Sequence, residues 1–101
     1  MYTVILSGGI TGRKNYREEF AVALVAARVR WPGAKVWNPA TLPDGREYRW
    51  YMQKCCAAIL EEADEKTVFV RLKGWNRSLG AVAEWALARC LGLKVVDQWW
   101  G

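Results

Sequence analysis

The chain has 101 residues, with 15 Lys and Arg against 10 Asp and Glu, a formal net charge of +5, three Cys and no His. This length fits one domain and excludes a second independent one. Without histidine, an imidazole base, a Ser-His or Cys-His pair and a His-ligated zinc are all excluded, so carboxylates must carry any acid–base or nucleophilic chemistry.

Hydrophobic periodicity, broken by glycine and proline, divides the chain into alternating strands and helices. The predicted elements are, in chain order, a strand at 2–6, a helix at 15–30, a strand at 34–38, a helix at 47–63, a strand at 67–72, a helix at 78–91 and a strand at 93–96. The strands are short and rich in β-branched residues, whereas the apolar residues of the helices recur at helical spacing.

The order β-α-β-α-β-α-β predicts an α/β fold. Helices between successive strands act as right-handed crossovers, which produce a parallel sheet with helices on both faces. We therefore expect a single domain over 1–101 with a small three-layer Rossmann-like (flavodoxin-like) fold and a four-stranded parallel sheet. Since such sheets bind ligands beyond the carboxyl ends of their strands, the loops at 7–16, 38–46 and 73–80 are expected to form one pocket.

A glycine-rich loop follows the first predicted strand. Its sequence, SGGITG over residues 7–12, includes Gly8, Gly9, Ile10 and Thr11. Glycines let backbone N–H groups approach an anion closely, and the helix that follows adds positive potential. The loop matches neither the Walker pattern nor GxGxxG. It is either an anion-binding loop or a tight turn without a ligand.

Glu84 is the most distinctive acidic residue. It lies within the third predicted helix, and it is the only acidic residue between positions 65 and 97. Helical geometry places it beside apolar neighbours and one turn after Gly80, which leaves room for a ligand. A carboxylate in such a setting is partly desolvated and is a candidate functional group. The alternative is an ordinary ion pair with Arg77 or Arg89.

Three further residues border the expected pocket. Tyr16 begins the first predicted helix next to the glycine loop, where its hydroxyl reaches the pocket unless the ring packs on Phe20 in the core. Asn38 ends the second strand and presents an amide to the same region. Trp75 offers a ring on which a base stacks, or else covers the core.

These motifs together resemble the nucleoside 2-deoxyribosyltransferase superfamily, most closely a small phage- and prophage-associated branch of unknown function. The likeness spans nearly the whole chain and extends to the related deoxynucleoside monophosphate N-glycosidases. Its most specific element is the pattern Ser-x-Gly-x-x-x-Glu in the third helix. The motifs that carry it are residues 7–12, Asn15-Tyr16-Arg17, Asn38-Pro39, Gly74-Trp75, Ser78-Leu79-Gly80-Ala81 and Glu84.

The resemblance implies a role for each matching residue. Glu84 would attack the anomeric carbon of a ribose or deoxyribose, and Tyr16 would position Glu84 or the sugar. A second displacement, by water or another base, would complete a retaining reaction. The residues implied to bind the sugar or its 5′-phosphate are Gly8, Gly9, Ile10, Thr11, Ser78 and Gly80. No cofactor and no metal is implied, and relatives form homodimers or larger oligomers.

One departure from the family weakens the case for catalysis. The family usually has an aspartate on the second helix, which handles the leaving base, whereas this chain has Cys56 at that position, next to Cys55. A thiol is a poor substitute for a carboxylic acid in protonating a purine or pyrimidine, and the loss of a general acid costs about 10² to 10⁴ in rate.

Three functions therefore remain open. The first is an enzyme that cleaves or exchanges the N-glycosidic bond of a nucleoside, nucleotide or related ribosyl compound. The second is a nucleotide or nucleotide-signal binding module with little or no catalysis. The third, with the weakest support, is a protein or nucleic-acid interaction domain, since the basic residues are scattered. Three cysteines without a CxxC spacing and a short N-terminal apolar run predict a cytoplasmic protein with no membrane partner.

Overall fold

The computed structural model describes residues 1–10 and 12–98, so the predicted site residue Thr11 lies outside the described residues. Strands and helices alternate along this part of the chain, and two short 3₁₀ turns, Pro39–Thr41 and Trp75–Arg77, lie in the connections. The elements are β1 (Thr3–Ser7), α1 (Tyr16–Arg30), β2 (Lys35–Trp37), α2 (Tyr48–Glu62), β3 (Thr67–Arg71), α3 (Leu79–Cys90) and β4 (Lys94–Asp97).

The four strands form one parallel sheet in the order β2-β1-β3-β4. In its register Val4 of β1 lies opposite Val36 of β2 and Val68 of β3. The α/β class, the parallel sheet and the Rossmann-like architecture predicted from the sequence are confirmed. Because the strands are parallel, their carboxyl ends share one edge, where the connections to the helices begin.

Alternate strand residues form a core on each face of the sheet, as expected for strands covered on both sides. On one face, α1 packs with Phe20, Ala23 and Ala27 against Val4 and Val68. On the other, α2 and α3 cover a second cluster, which contains Ile5, Ile59, Phe69, Ala88 and Leu93. The longest stretches of fully buried strand are therefore the central strands β1 and β3.

The first strand extends one residue beyond its predicted end. Ser7 pairs with Arg71 of β3 and is buried, because the parallel ladder continues to that position. Gly8 follows where the backbone lies close to Leu72, and a Cβ at Gly8 would be 2.9 Å from the Cβ of Leu72. The hydroxyl of Ser7 therefore lies at the carboxyl edge of the sheet, at the last residue of β1.

Within residues 1–10 and 12–98, no helix is long and apolar enough to cross a membrane.

Candidate functional site

A buried carboxylate lies at the carboxyl edge of the sheet. Only 6% of the Glu84 surface is exposed, and its side chain reaches from α3 to the end of β1. There the hydroxyl of Ser7 donates a hydrogen bond to Oε1 of Glu84, over 2.8 Å. Cys55 of α2 also lies near this carboxyl group. The candidate site is thus built from one side chain on each of three elements.

The geometry of α3 explains why Glu84 points inward. Ser78 caps the helix, and its Oγ accepts a hydrogen bond from the backbone N–H of Ala81 over 3.2 Å. The buried residues of α3 are Gly80, Ala81, Glu84 and Ala88, which recur at helical spacing on one face. Glu84 therefore occupies a position that in an ordinary helix of this kind holds an apolar residue.

Burial dominates the titration of Glu84. Desolvation raises its pKa from the ordinary 4.5 to about 7, and the hydrogen bond from Ser7 and the nearby Cys55 thiol oppose that rise by stabilising the carboxylate. Both protonation states are accordingly populated near neutral pH. Burial also raises the pKa of the Cys55 thiol, and the nearby charge of Glu84 adds to the effect. Cys55 therefore remains a protonated thiol beside the carboxylate.

A small cavity, which we call the Glu84 chamber, lies above the carboxylate. Its volume is about 40 Å³, enough for a few water molecules and too small for a nucleoside. The residues that line it come from the glycine loop, α2 and α3, and they are Gly8, Ile10, Tyr48, Tyr51, Met52, Cys55, Ser78, Gly80, Ala81 and Glu84.

Two side chains of α2, Tyr48 and Met52, line the chamber next to Gly80. A Cβ at position 80 would lie 2.9 Å from Sδ of Met52 and 2.9 Å from the hydroxyl oxygen of Tyr48. The missing side chain of Gly80 therefore allows α2 to pack closely onto α3. Tyr48 is 48% exposed and lines both the chamber and a neighbouring cleft.

A larger cleft, which we call the basic cleft, adjoins the Glu84 chamber. Its volume is about 330 Å³, and Tyr48 and Ser78 line both spaces. Arg13 and Arg77 line the cleft, whose lining residues include no carboxylate, and Arg13 also forms an ion pair with Glu19. The cleft lies at the N-terminal end of α3, where helix N–H groups favour an anion. A cleft with two basic residues therefore adjoins the buried carboxylate.

The structure brings together most of the residues that the sequence analysis selected. Gly8, Ile10, Ser78 and Gly80 line the chamber with Glu84, while Gly9 lines the basic cleft. The ion pair between Glu84 and Arg77 or Arg89, considered as an alternative, is not among the salt bridges of the described residues.

Tyr16 lies in a neighbouring cleft of about 410 Å³. Its hydroxyl donates to Oδ1 of Asp44 over 2.7 Å, and Arg17 pairs with the same carboxylate. The hydrogen bond to Asp44 is the main cause of a raised pKa at Tyr16. Ile10 and Tyr51 line both this cleft and the Glu84 chamber, so the two spaces share a wall. A role for Tyr16 in positioning Glu84 or a sugar stays a prediction.

Two other selected residues make contacts away from the chamber. The side-chain oxygen of Asn38 accepts a hydrogen bond from the backbone N–H of Ala40 over 3.0 Å, which caps the first 3₁₀ turn. The ring centroids of Trp75 and Trp85 are 5.2 Å apart, and the guanidinium carbon of Arg71 lies 4.2 Å from the centroid of Trp75. Neither Asn38 nor Trp75 lines the chamber or the basic cleft.

Sequence reasoning did not select six residues of the site, namely Ser7, Tyr48, Tyr51, Met52, Cys55 and Ala81. The sequence contained a signal for Ser7, because a hydroxyl at the end of an apolar, buried strand can contact a polar side chain of the helices packed on the sheet. The expected replacement for the family aspartate was Cys56, whereas the thiol that lines the chamber is that of Cys55. The Cys56 thiol is only partly buried, and burial followed by the charge of Glu84 raises its pKa.

The fold and the site together define a small Rossmann-like α/β domain with a buried carboxylate at the carboxyl edge of its sheet. Within the described part of the chain, no group of three or more His, Cys, Asp or Glu residues is arranged to hold a metal ion. A family model described as a domain of unknown function, DUF4406, matches residues 2–97, and the chain belongs to that family. No curated protein and no solved structure gives a significant match.

Proposed function

We propose that the protein binds a nucleoside, nucleotide or related ribosyl compound and cleaves or exchanges its N-glycosidic bond, with Glu84 as the nucleophile. The observation that carries the proposal is a carboxylate buried at the carboxyl edge of the sheet, hydrogen-bonded to Ser7 and beside the basic cleft. The resemblance to the nucleoside 2-deoxyribosyltransferase superfamily, and to its phage-associated branch, supplies the reaction class.

The chemistry fits the protonation behaviour of Glu84. A carboxylate oxygen forms a bond to the anomeric carbon while the bond from that carbon to the base nitrogen breaks, and the electron pair leaves with the base. Water or a second base then displaces the carboxylate, so the configuration is retained. With a pKa of about 7, Glu84 is ionised in a substantial fraction of molecules at neutral pH, as a nucleophile must be.

The positions of the cationic groups suit a 5′-phosphorylated substrate. Arg13 and Arg77 line the basic cleft, and Ser78 lies between that cleft and the chamber. A phosphate in the cleft would direct the attached sugar towards Glu84. Since the chamber has room for only a few waters, Tyr48 or Met52 must move aside when the sugar enters.

Base release tests the proposal. The purified chain is incubated at about pH 8 with a panel of nucleosides and 5′-nucleotides, and free base is measured by chromatography. We expect at least one substrate to release base, and Glu84→Gln to lose about 10³-fold or more of that activity because the amide is not a nucleophile. Mass spectrometry of the parent should also detect a glycosyl adduct on Glu84.

The control is Glu61→Gln, which removes one carboxylate from an exposed position of α2 and should leave the rate unchanged. Base release by Glu84→Gln at the parent rate would contradict the assignment of the nucleophile.

A second function, nucleotide binding without efficient turnover, is favoured by the composition of α2. The groups that α2 brings near Glu84 are the thiols of Cys55 and Cys56, both with raised pKa values, and a thiol is a weak general acid for a departing base. Binding of a nucleotide without base release by the parent would support this second function over the first. Native mass spectrometry and base release on the same samples distinguish the two.

A further inference from the structure

Ser7 contacts Glu84 from the side of the sheet and not from the chamber. Its hydroxyl donates to Oε1 of Glu84 over 2.8 Å, and only 1% of the Ser7 surface is exposed. Glu84 lines the Glu84 chamber, whereas Ser7 is not one of the residues that line it. Ser7 therefore acts on a ligand in the chamber only through the carboxylate of Glu84.

The sheet fixes the position of this hydroxyl. Ser7 is the last residue of β1, and the parallel ladder pairs it with Arg71 of β3. Its backbone carbonyl accepts a hydrogen bond from the N–H of Leu72 over 2.8 Å. Since β1 and β3 are the two central strands, the hydroxyl is held by the most buried part of the fold.

No positive charge faces Glu84 from the lining of the chamber, because the described residues that form this lining include neither lysine nor arginine. The titratable groups near Glu84 belong to α2, and they are Tyr48, Tyr51, Cys55 and Cys56. None of these groups becomes a cation. The hydrogen bond from Ser7 is accordingly the largest influence that opposes the desolvation of the carboxylate, and the thiol of Cys55 adds a smaller one.

We propose that Ser7 is the positioning residue of the nucleophile: its hydroxyl holds Oε1 of Glu84, so that Oε2 is the oxygen that attacks the anomeric carbon. The inference rests on the proposed function. The resemblance implies a positioning role for Tyr16, yet the hydroxyl of Tyr16 donates to Asp44 over 2.7 Å. A hydroxyl that donates to a carboxylate also favours the ionised form, which is the form that acts as a nucleophile.

The pH dependence of base release distinguishes positioning from a merely structural role. In the parent, kcat should rise with pH until Glu84 is ionised. Ser7→Ala should move this rise to higher pH by about one unit and lower kcat at pH 7 about fivefold or more, because the carboxylate loses its donor. KM should change less than about threefold, since Ser7 does not line the chamber.

The matched control is Thr67→Val, which removes a buried hydroxyl from the other central strand. Thr67 begins β3, at the opposite end of the sheet from Ser7, and its hydroxyl donates to Asp64. Its loss should destabilise the fold and leave the pH profile of base release where it is in the parent. Thermal unfolding verifies that each variant is folded.

The pH dependence of Tm tests the same hydrogen bond without catalysis. Ser7→Ala should lower Tm by about 4 °C or more beyond its effect at pH 5 when the pH is raised to 8, because Glu84 is ionised only at the higher pH. When Glu84→Gln is also present, Ser7→Ala should lower Tm equally at both pH values, since the amide does not titrate.

A folded Ser7→Ala with the parental pH profile, or with the same loss of Tm at pH 5 and pH 8, overturns the proposal. A parent that releases no base contradicts the proposed function instead. The unfolding measurements then still decide whether Ser7 holds the carboxylate, so the two failures are distinguishable.

Discussion

At the scale of single residues, Glu84 makes the stability of the fold depend on pH. Its pKa rises from 4.5 in the unfolded chain to about 7 in the folded one, so the folded state holds the proton more tightly. The resulting contribution to stability is complete below about pH 4.5, and it is lost as the pH rises through 7. A difference of this size corresponds to about 3 kcal/mol.

Glu84→Gln should consequently stabilise the protein in alkaline solution. The amide keeps the shape and can still accept the hydrogen bond from Ser7, but it carries no charge at any pH. Relative to the parent, the variant should gain about 2 to 3 kcal/mol between pH 5 and pH 8, or on the order of 10 °C in Tm. Thermal unfolding followed by circular dichroism at both pH values measures the gain.

Glu61→Gln, which changes an exposed carboxylate, should show no comparable gain. Equal Tm differences at pH 5 and pH 8 for Glu84→Gln would mean that the carboxyl group titrates as it does in the unfolded chain.

At the scale of elements, the packing of α2 on α3 decides how much room exists above Glu84. Gly80→Ala adds a methyl group 2.9 Å from the ends of two flexible side chains, Met52 and Tyr48, which can move. Alanine also favours the helix by about 1 kcal/mol relative to glycine, which offsets the crowding. We therefore expect the stability to change by less than about 1 kcal/mol, while nucleotide affinity or base release falls at least about tenfold.

Chemical denaturation and ligand titration of the same samples measure the two effects of Gly80→Ala. Ala86→Gly, at an exposed position of α3, provides the contrast, because it loses helix stability without changing the chamber. Unchanged ligand affinity in Gly80→Ala would show that the ligand does not pass over position 80.

At the scale of the whole molecule, the sequence was sufficient for the architecture and for the residues of the glycine loop and of α3 that line the chamber. Alternating β-branched and helical segments specified the parallel sheet, because right-handed crossovers leave few other arrangements. Glu84 was identifiable because an acidic residue stood among apolar neighbours on one helix face. Its contacts were not identifiable, since Ser7 lies 77 positions away along the chain and Cys55 reaches it only through the packing of α2.

Aromatic residues were less predictable for a related reason. Trp75 lies in a loop that the sequence assigned to the pocket, yet its ring packs on Trp85 and Arg71. The ring of a loop tryptophan can pack against several apolar neighbours. Which neighbour it contacts depends on the relative position of β3 and α3. The pattern of a single sequence contains the spacing of residues within an element and no comparable information about distances between elements.

The net charge of +5 and the two arginines of the basic cleft yield a prediction for the whole molecule. A ligand that binds only the folded state raises Tm. A nucleoside 5′-monophosphate should raise Tm more than the matching nucleoside, because the phosphate interacts with the cationic groups of Arg13 and Arg77.

The difference in Tm between the two ligands should shrink when the salt concentration rises from about 0.05 M to about 0.5 M, since screening weakens these interactions. Arg77→Gln should remove most of the advantage of the phosphate, whereas Lys94→Gln, the same loss of charge on exposed β4, should keep it. An equal loss in both variants would mean that the phosphate responds to the overall charge of the molecule and does not occupy the cleft beside Glu84.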